Sequence, residues 1–118
     1  MTIRIKRVYD RPVKADGARV LVDRLWPRGV SKEEAAITVW AREFAPSNDV
    51  RKWFHVDPEG RYSAFARKYH SELRKNKRAI AERLARLPKT ITLVTSVKDV
   101  AHSHIPTLKT FLESLATA

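Results

Sequence analysis

An α/β fold, with a small mixed sheet flanked by helices, is the class this sequence predicts. Three observations predict it. Runs rich in β-branched residues stand at 2–9, 19–22 and 90–96. Between the last two lies a long stretch with apolar residues at helical spacing. A chain of 118 residues is long enough for one hydrophobic core but not for two, so residues 1–118 are expected to form a single layered domain.

Taken in order, residues 2–9 set Ile3 and Ile5 on one face and Arg4 and Lys6 on the other, the pattern of a half-buried strand. "DRPVKADG" (10–17) is a loop, with Pro12 and Asp16-Gly17 as turn signals. "RVLV" (19–22) is a continuous apolar run suited to a central strand. The link before it is too short for a helical crossover, so the first two strands are expected to run antiparallel as neighbours. After "WPRG", Ser31 and Glu34 have capping-box spacing and open a short helix.

Ser47 is placed to cap another short helix through Trp53-Phe54. Asp57, Pro58 and Glu59 start a third in N-cap, first and second positions. Tyr62, Phe65, Tyr69 and Leu73 form its apolar stripe, which Ile80, Leu84 and Leu87 continue after a kink near Asn76. Pro88 ends it, "TITLVTS" (90–96) is a second central strand, and Ile105, Leu108, Phe111, Leu112 and Leu115 mark a terminal helix. The long helical crossover from strand 19–25 to strand 90–96 suits a parallel pairing of those central strands.

Composition narrows the function. At 43% apolar and 31% charged, the chain has globular rather than disordered composition. No apolar run approaches the roughly 20 residues that span a bilayer, and "MTIRIKRVYD" has no secretory core, so a cytoplasmic location without membrane partners is expected. With no cysteine, disulfides, thiolate nucleophiles and cysteine-ligated zinc are excluded. The net charge of +11 draws anionic partners. Much of that charge sits in 61–89, where only Glu72 and Glu82 are acidic.

In open α/β sheets, ligands bind beyond the carboxyl ends of the strands. Two segments leave there, "DRLWPRG" and "SVKDVAHSH". Arg24, Arg28 and Lys98 supply positive charge, arginine being suited to bidentate phosphate or carboxylate contacts. Trp26 is placed to stack, and His102 and His104 complete the candidate ligand-binding set. The bland alternative is that Arg24 pairs with Asp10, Asp23 or Asp99 and that Trp26-Pro27 plugs a turn.

Asp23, at the tail of an apolar strand, is the candidate catalytic residue: a general base with a raised pKa, or a plain cap. "HSH" has metal-ligand spacing but no third ligand of obvious spacing, so no metal is assigned. There is no glycine-rich phosphate loop, Walker lysine or nucleophile elbow, and no cofactor or oligomeric state follows. Trp40, Trp53 and Phe54 read mainly as core.

"RVYD" (7–10), "DGARVLVDRLWPRGVSKEEA" (16–35), "EFAPSND" (43–49), "RKWF" (51–54) and "LVTSVKD" (93–99) resemble the short bacterial branch of the domain of unknown function 488 family. So do Trp40 and the KYHSEL step at 68–73, and the likeness covers nearly the whole chain. It implies a small α/β protein and no particular reaction. The family's recurrent positions fall on Asp16, Gly17, Arg19, Asp23, Arg24, Trp26, Arg28, Arg51, Trp53, Lys98 and Asp99, among others. Relatives often carry Gly-His-Asp-Pro where this chain has His55-Val56-Asp57-Pro58, and an Asn/His-Ala step where it has His104-Ile105.

Three readings of function follow. The first is a pocket for an anionic small molecule, such as a nucleotide, phosphate or carboxylate compound, at the carboxyl edge of the sheet, with or without catalysis. The second is a nucleic-acid-binding or regulatory module using the 61–89 face, notably Arg74, Lys75, Lys77 and Arg78. The third is a structural or partner-binding domain.

Overall fold

The structure is a computed structural model and describes residues 1–117. The alternating run Thr2–Arg7 forms strand β1, and the apolar run Ala18–Leu21 forms strand β2, buried throughout. Ser31 caps helix α1, Lys32–Ala35, through the capping box with Glu34. The helix stops after one turn because Ala36 turns left-handed (φ 48°). Val39–Trp40 is a two-residue strand, β3, with no counterpart in the sequence reading.

Helix α2 (Asn48–Val56) is capped by the Ser47 side chain and helix α3 (Pro58–Lys75) by Asp57, with Pro58 in the first turn. The expected kink is a full break at Asn76, after which helix α4 runs Lys77–Ala85. Strand β4 (Thr90–Thr95) and helix α5 (Ile105–Ala116) complete the fold.

Among the described residues the strands make one sheet in the order β1-β4-β2-β3, and every pairing is parallel. This overturns the expectation of a mixed sheet whose first two strands are antiparallel. β1 and β2 are not neighbours, because β4 lies between them and pairs with both. A short link dictates antiparallel pairing only for strands that touch. Residues 8–17 instead run back in extended and 3-10 form. At about 3.3 Å per residue they retrace the length of β1 without a helix.

That return path is pinned against β4. Gly17 adopts φ +65°, and a Cβ there would sit 2.1 Å from the Thr90 carbonyl oxygen, so only glycine fits. The Thr92 hydroxyl donates to the Asp16 carbonyl at 2.8 Å.

The larger core lies on one sheet face. Val20 and Val22 meet Ile91 and Leu93, with Phe54, Phe65, Tyr69, Leu73, Ile80, Leu84, Ile105, Leu108 and Leu112 from α2–α5 above them. The opposite face carries a smaller cluster of Val8, Ala35 and Val94, against which Trp26, Val30 and Ile37 pack. One face is thickly covered and the other thinly, and the polar residues of the candidate site gather at the carboxyl edge.

Candidate functional site

Because β2 and β4 are adjacent and parallel, the chain leaves both at the same edge. Leu21 pairs with Val94, and the Val22 N–H donates to the Val94 carbonyl at 3.1 Å. The next residues, Asp23 and Ser96, therefore meet. One oxygen of Asp23 accepts from the Thr95 hydroxyl at 2.7 Å; the other accepts from the Ser96 N–H at 2.8 Å and the Ser96 hydroxyl at 2.9 Å.

His104, at the entrance to α5, completes the cluster. Its Nε2 lies 3.0 Å from the Val22 carbonyl and 3.3 Å from Asp23 Oδ1. A carbonyl only accepts, so Nε2 carries the proton. Asp23 and His104 are 8% and 7% exposed. Burial pushes the Asp23 carboxyl up, but the hydrogen bond and positive charge of His104, with the Ser96 and Thr95 donors, outweigh it. The carboxyl is held below its ordinary range. Both oxygens of the carboxylate are thus engaged, by Thr95, Ser96 and His104.

Above this cluster lies a cleft of about 700 Å³. Its polar wall includes Asp23, Arg24, Ser96, Ser103 and His104; its outer wall comes from α2 and α3. The two helices fold back on one another at Asp57. The Ser47 N–H donates to Glu72 at 3.0 Å, the Arg61 guanidinium donates to the Trp53 carbonyl at 2.7 Å, and Phe54 stacks on Phe65 at 4.1 Å. This hairpin turns Phe54, Tyr62 and Phe65 into the cleft as an aromatic floor.

The two arginines of the cleft lack carboxylate partners. Arg24 donates to the carbonyls of Pro46 (3.1 Å) and Ala45 (3.3 Å). Arg51 reaches Asn48 Oδ1 at 3.4 Å, while its Nε is buried with no partner. Neither takes part in an ion pair among the described residues.

Tyr62, one turn into α3, donates to the carbonyls of Ala101 (3.3 Å) and Ser103 (3.1 Å). Its ring meets the edge of His102 at 5.4 Å, and His102 Nδ1 is 2.9 Å from Asp99. Burial, and then the negative charge of Asp99, push the Tyr62 phenol up.

Of the residues singled out in the sequence, the structure brings Asp23, Arg24, His102 and His104 to one cleft. Three others stand apart from it. Trp26 packs edge-on to Trp40 at 5.5 Å and donates to the Val30 carbonyl at 2.8 Å, on the thin face of the sheet. Arg28 and Lys98 are exposed and do not line the cleft. The two histidines of the HxH step face different partners, and no group of three or more metal-ligating side chains occurs among the described residues.

Sequence reasoning missed Arg51, His55, Glu59 and Tyr62 as cleft residues. The signal available for them was the helix hairpin at Asp57-Pro58, with charged and aromatic residues on both sides of it. Arg74, Lys75 and Lys77 are exposed and make no ion pair among the described residues, and Arg78 makes an exposed 3.5 Å contact with Glu82. Arg67, His70, Ser71, Arg74 and Lys75 line a separate shallow hollow. No described helix is long and apolar enough to cross a membrane.

Fold and site together define a small, fully parallel α/β protein with an aromatic, arginine-bearing cleft at the carboxyl edge of its sheet. Residues 2–118 match the family described as the inactive DUF488-N3 subclade, and the chain belongs to it. The chain is similar to the uncharacterized protein YeaO of Escherichia coli (strain K12), 40% identical over 117 residues that cover 98% of this chain and 100% of that protein. It is also similar to the uncharacterized protein Rv3073c of Mycobacterium tuberculosis (strain ATCC 25618 / H37Rv), 40% identical over 112 residues covering 93% and 92%. No solved structure matches the chain.

Proposed function

We propose that the protein binds a planar, anionic small molecule in the carboxyl-edge cleft and holds it without turning it over. The observation that carries this reading is the pair of cleft arginines, Arg24 and Arg51, whose guanidiniums have no carboxylate partner, one of them with a buried orphan Nε. Each guanidinium keeps N–H donors beyond its bonds to Pro46, Ala45 and Asn48, and an anion is the ligand that suits them.

The cleft volume of about 700 Å³ suits a small ligand. Phe54, Tyr62 and Phe65 give the cleft an apolar, aromatic lining against which the body of a ligand can pack. Binding is favoured over turnover by the Thr95, Ser96 and His104 contacts that already occupy both oxygens of Asp23, and by the description of the family as inactive. In this reading Arg24 and Arg51 hold the anion, while the buried Asp23–His104 pair forms the inner wall.

Titration calorimetry with nucleoside monophosphates, sugar phosphates and aromatic carboxylates tests it. The expected result is saturable binding by at least one planar anion, weakened about tenfold or more in Arg51→Ala, as loss of a charge-assisted hydrogen bond demands. Absence of binding across the set, or equal affinity in Arg24→Ala and Arg51→Ala, overturns it.

A second reading, contact with a nucleic-acid backbone, is favoured by the shallow hollow of Arg67, His70, Ser71, Arg74 and Lys75, which no carboxylate lines. Gel shifts at low salt decide it: retardation that disappears on charge reversal of Arg74, Lys75, Lys77 and Arg78 supports it. Retardation unchanged by those substitutions, or none at all, removes it.

A further inference from the structure

The charges of the cleft are sorted by sign. Arg24 reaches across to Ala45 and Pro46, immediately before α2, and Arg51 is one turn inside that helix. Both guanidiniums thus belong to the end of the cleft where the α2–α3 hairpin is open. Its closed end, at Asp57, lies about 9 Å of helical rise beyond Arg51. The carboxylates that line the cleft apart from buried Asp23 gather there.

Glu59 is in the first turn of α3, on the same side as Tyr62 one turn on. Tyr62 in turn touches His102, which is paired with Asp99. Glu59 is exposed and makes no ion pair or side-chain hydrogen bond among the described residues. Asp99 is two-thirds exposed and keeps lone pairs free beyond its bonds to His102. Phe54, Tyr62 and Phe65 pack on one another and line the same cleft.

We infer that the cleft selects a bipolar ligand: an anionic group at Arg24 and Arg51, a flat body on the aromatic floor, and an amine or other N–H donor at Glu59 and Asp99. This rests on the anion-binding reading and narrows it. A planar anion with an acceptor or a second negative charge at its far end meets two carboxylates and is rejected, whereas an amine is welcomed as a donor. The closed end of the hairpin therefore sets specificity, and the open end supplies attraction common to all anions.

The experiment compares matched probes that differ only at the far end. Adenosine monophosphate carries an exocyclic amine that purine riboside monophosphate lacks, and 4-(aminomethyl)benzoate carries an ammonium that 4-methylbenzoate lacks. Calorimetric titration of the full chain is expected to show the amine-bearing member of a pair binding about tenfold or more tightly, the scale of one hydrogen bond to a charged group. Glu59→Gln with Asp99→Asn is expected to erase that preference while leaving the other member's affinity unchanged or improved. Arg51→Ala weakens both members alike.

Equal binding within both pairs, still sensitive to Arg51→Ala, overturns the bipolar inference and leaves the anion reading standing. No binding of any probe, or binding indifferent to Arg51→Ala, overturns both. Glu59 and Asp99 are surface residues, so circular dichroism of the double variant is expected to match the parent and separates lost preference from lost fold.

Discussion

At the amino edge of β2, Asp16 and Arg19 close on one another at 2.8 Å, with Lys6 on the other carboxylate oxygen at 2.9 Å. At its carboxyl edge, Asp23 and Arg24 are adjacent in sequence yet form no ion pair. The first pair is sealed, Asp16 being 2% and Arg19 4% exposed, and Arg19 further donates to the Ala35 carbonyl at 3.1 Å. The second is divided: Asp23 turns inward to Thr95, Ser96 and His104, while Arg24 turns out to two carbonyls at the rim of a cleft.

The same two residue types therefore lock a turn at one end of the strand and line an open cleft at the other. What separates the two outcomes is whether the guanidinium finds a carboxylate inside the fold. Four measurements test this contrast.

The largest effect is expected at the sealed end. Asp16→Ala leaves Arg19 buried beside an already unpartnered Nη2, and removal of one member of a buried pair costs about 3–5 kcal/mol. Urea unfolding should show it, and a loss below about 1 kcal/mol would mean that the knot is not structural. At the open end, Asp23→Asn keeps the shape but removes the charge that holds His104. A loss of about 1.5–3 kcal/mol is expected, with a weakened His104 orientation visible as a shifted imidazole resonance.

Third comes acid. Asp16 is held below its usual range although burial pushes it up, because Lys6, the Val13 N–H and Arg19 together prevail; Asp23 behaves likewise. A carboxyl whose folded pKa is depressed contributes stability above its unfolded pKa of about 3.9 and loses it as pH falls through the folded value. Stability set by these two groups should thus be level above about pH 5 and decline below about pH 4. Asp16→Asn should flatten that decline; an unchanged acid limb would exclude Asp16 as a source.

The smallest effect on stability, and the most telling, is Arg51→Met. Replacing a guanidinium whose buried Nε has no partner should leave stability within about 0.5 kcal/mol of the parent, or raise it, while anion binding falls. A large destabilisation would place Arg51 with the structural arginines instead.

Local chemistry made much of the fold legible. The Ser31–Glu34 capping box, Ser47, and Asp57-Pro58 each start a helix as their residue types require. Strand order was not legible from the first two strands, because the partner of both is β4, more than 70 residues further along the chain. β3 escaped because two residues hold no period, its place being set by the Thr38 N–H bonding to the Arg19 carbonyl at 2.8 Å.

The two strand exits do converge, which brings Asp23, Arg24, His102 and His104 to one cleft. Trp26, Arg28 and Lys98 share those segments but not that direction, because past Leu21 and Thr95 the chain is loop, with no strand alternation to fix where each side chain points. Arg51, Glu59 and Tyr62 belong to helices whose placement over the cleft is a tertiary fact. Their apolar spacing accounts for the core face of each helix and says nothing of what the flank overhangs.

The central position of β4 also governs how the chain assembles. Only the short β2–β3 ladder joins segments made early. Emerging from a ribosome, β1 and most of β2 must wait for residues 90–95, so the sheet closes in one late step around its final strand. Such distant pairing slows folding and leaves strand edges bare during synthesis. The positive charges of Arg4, Lys6 and Arg7 on β1 then discourage nascent chains from pairing with one another during that delay.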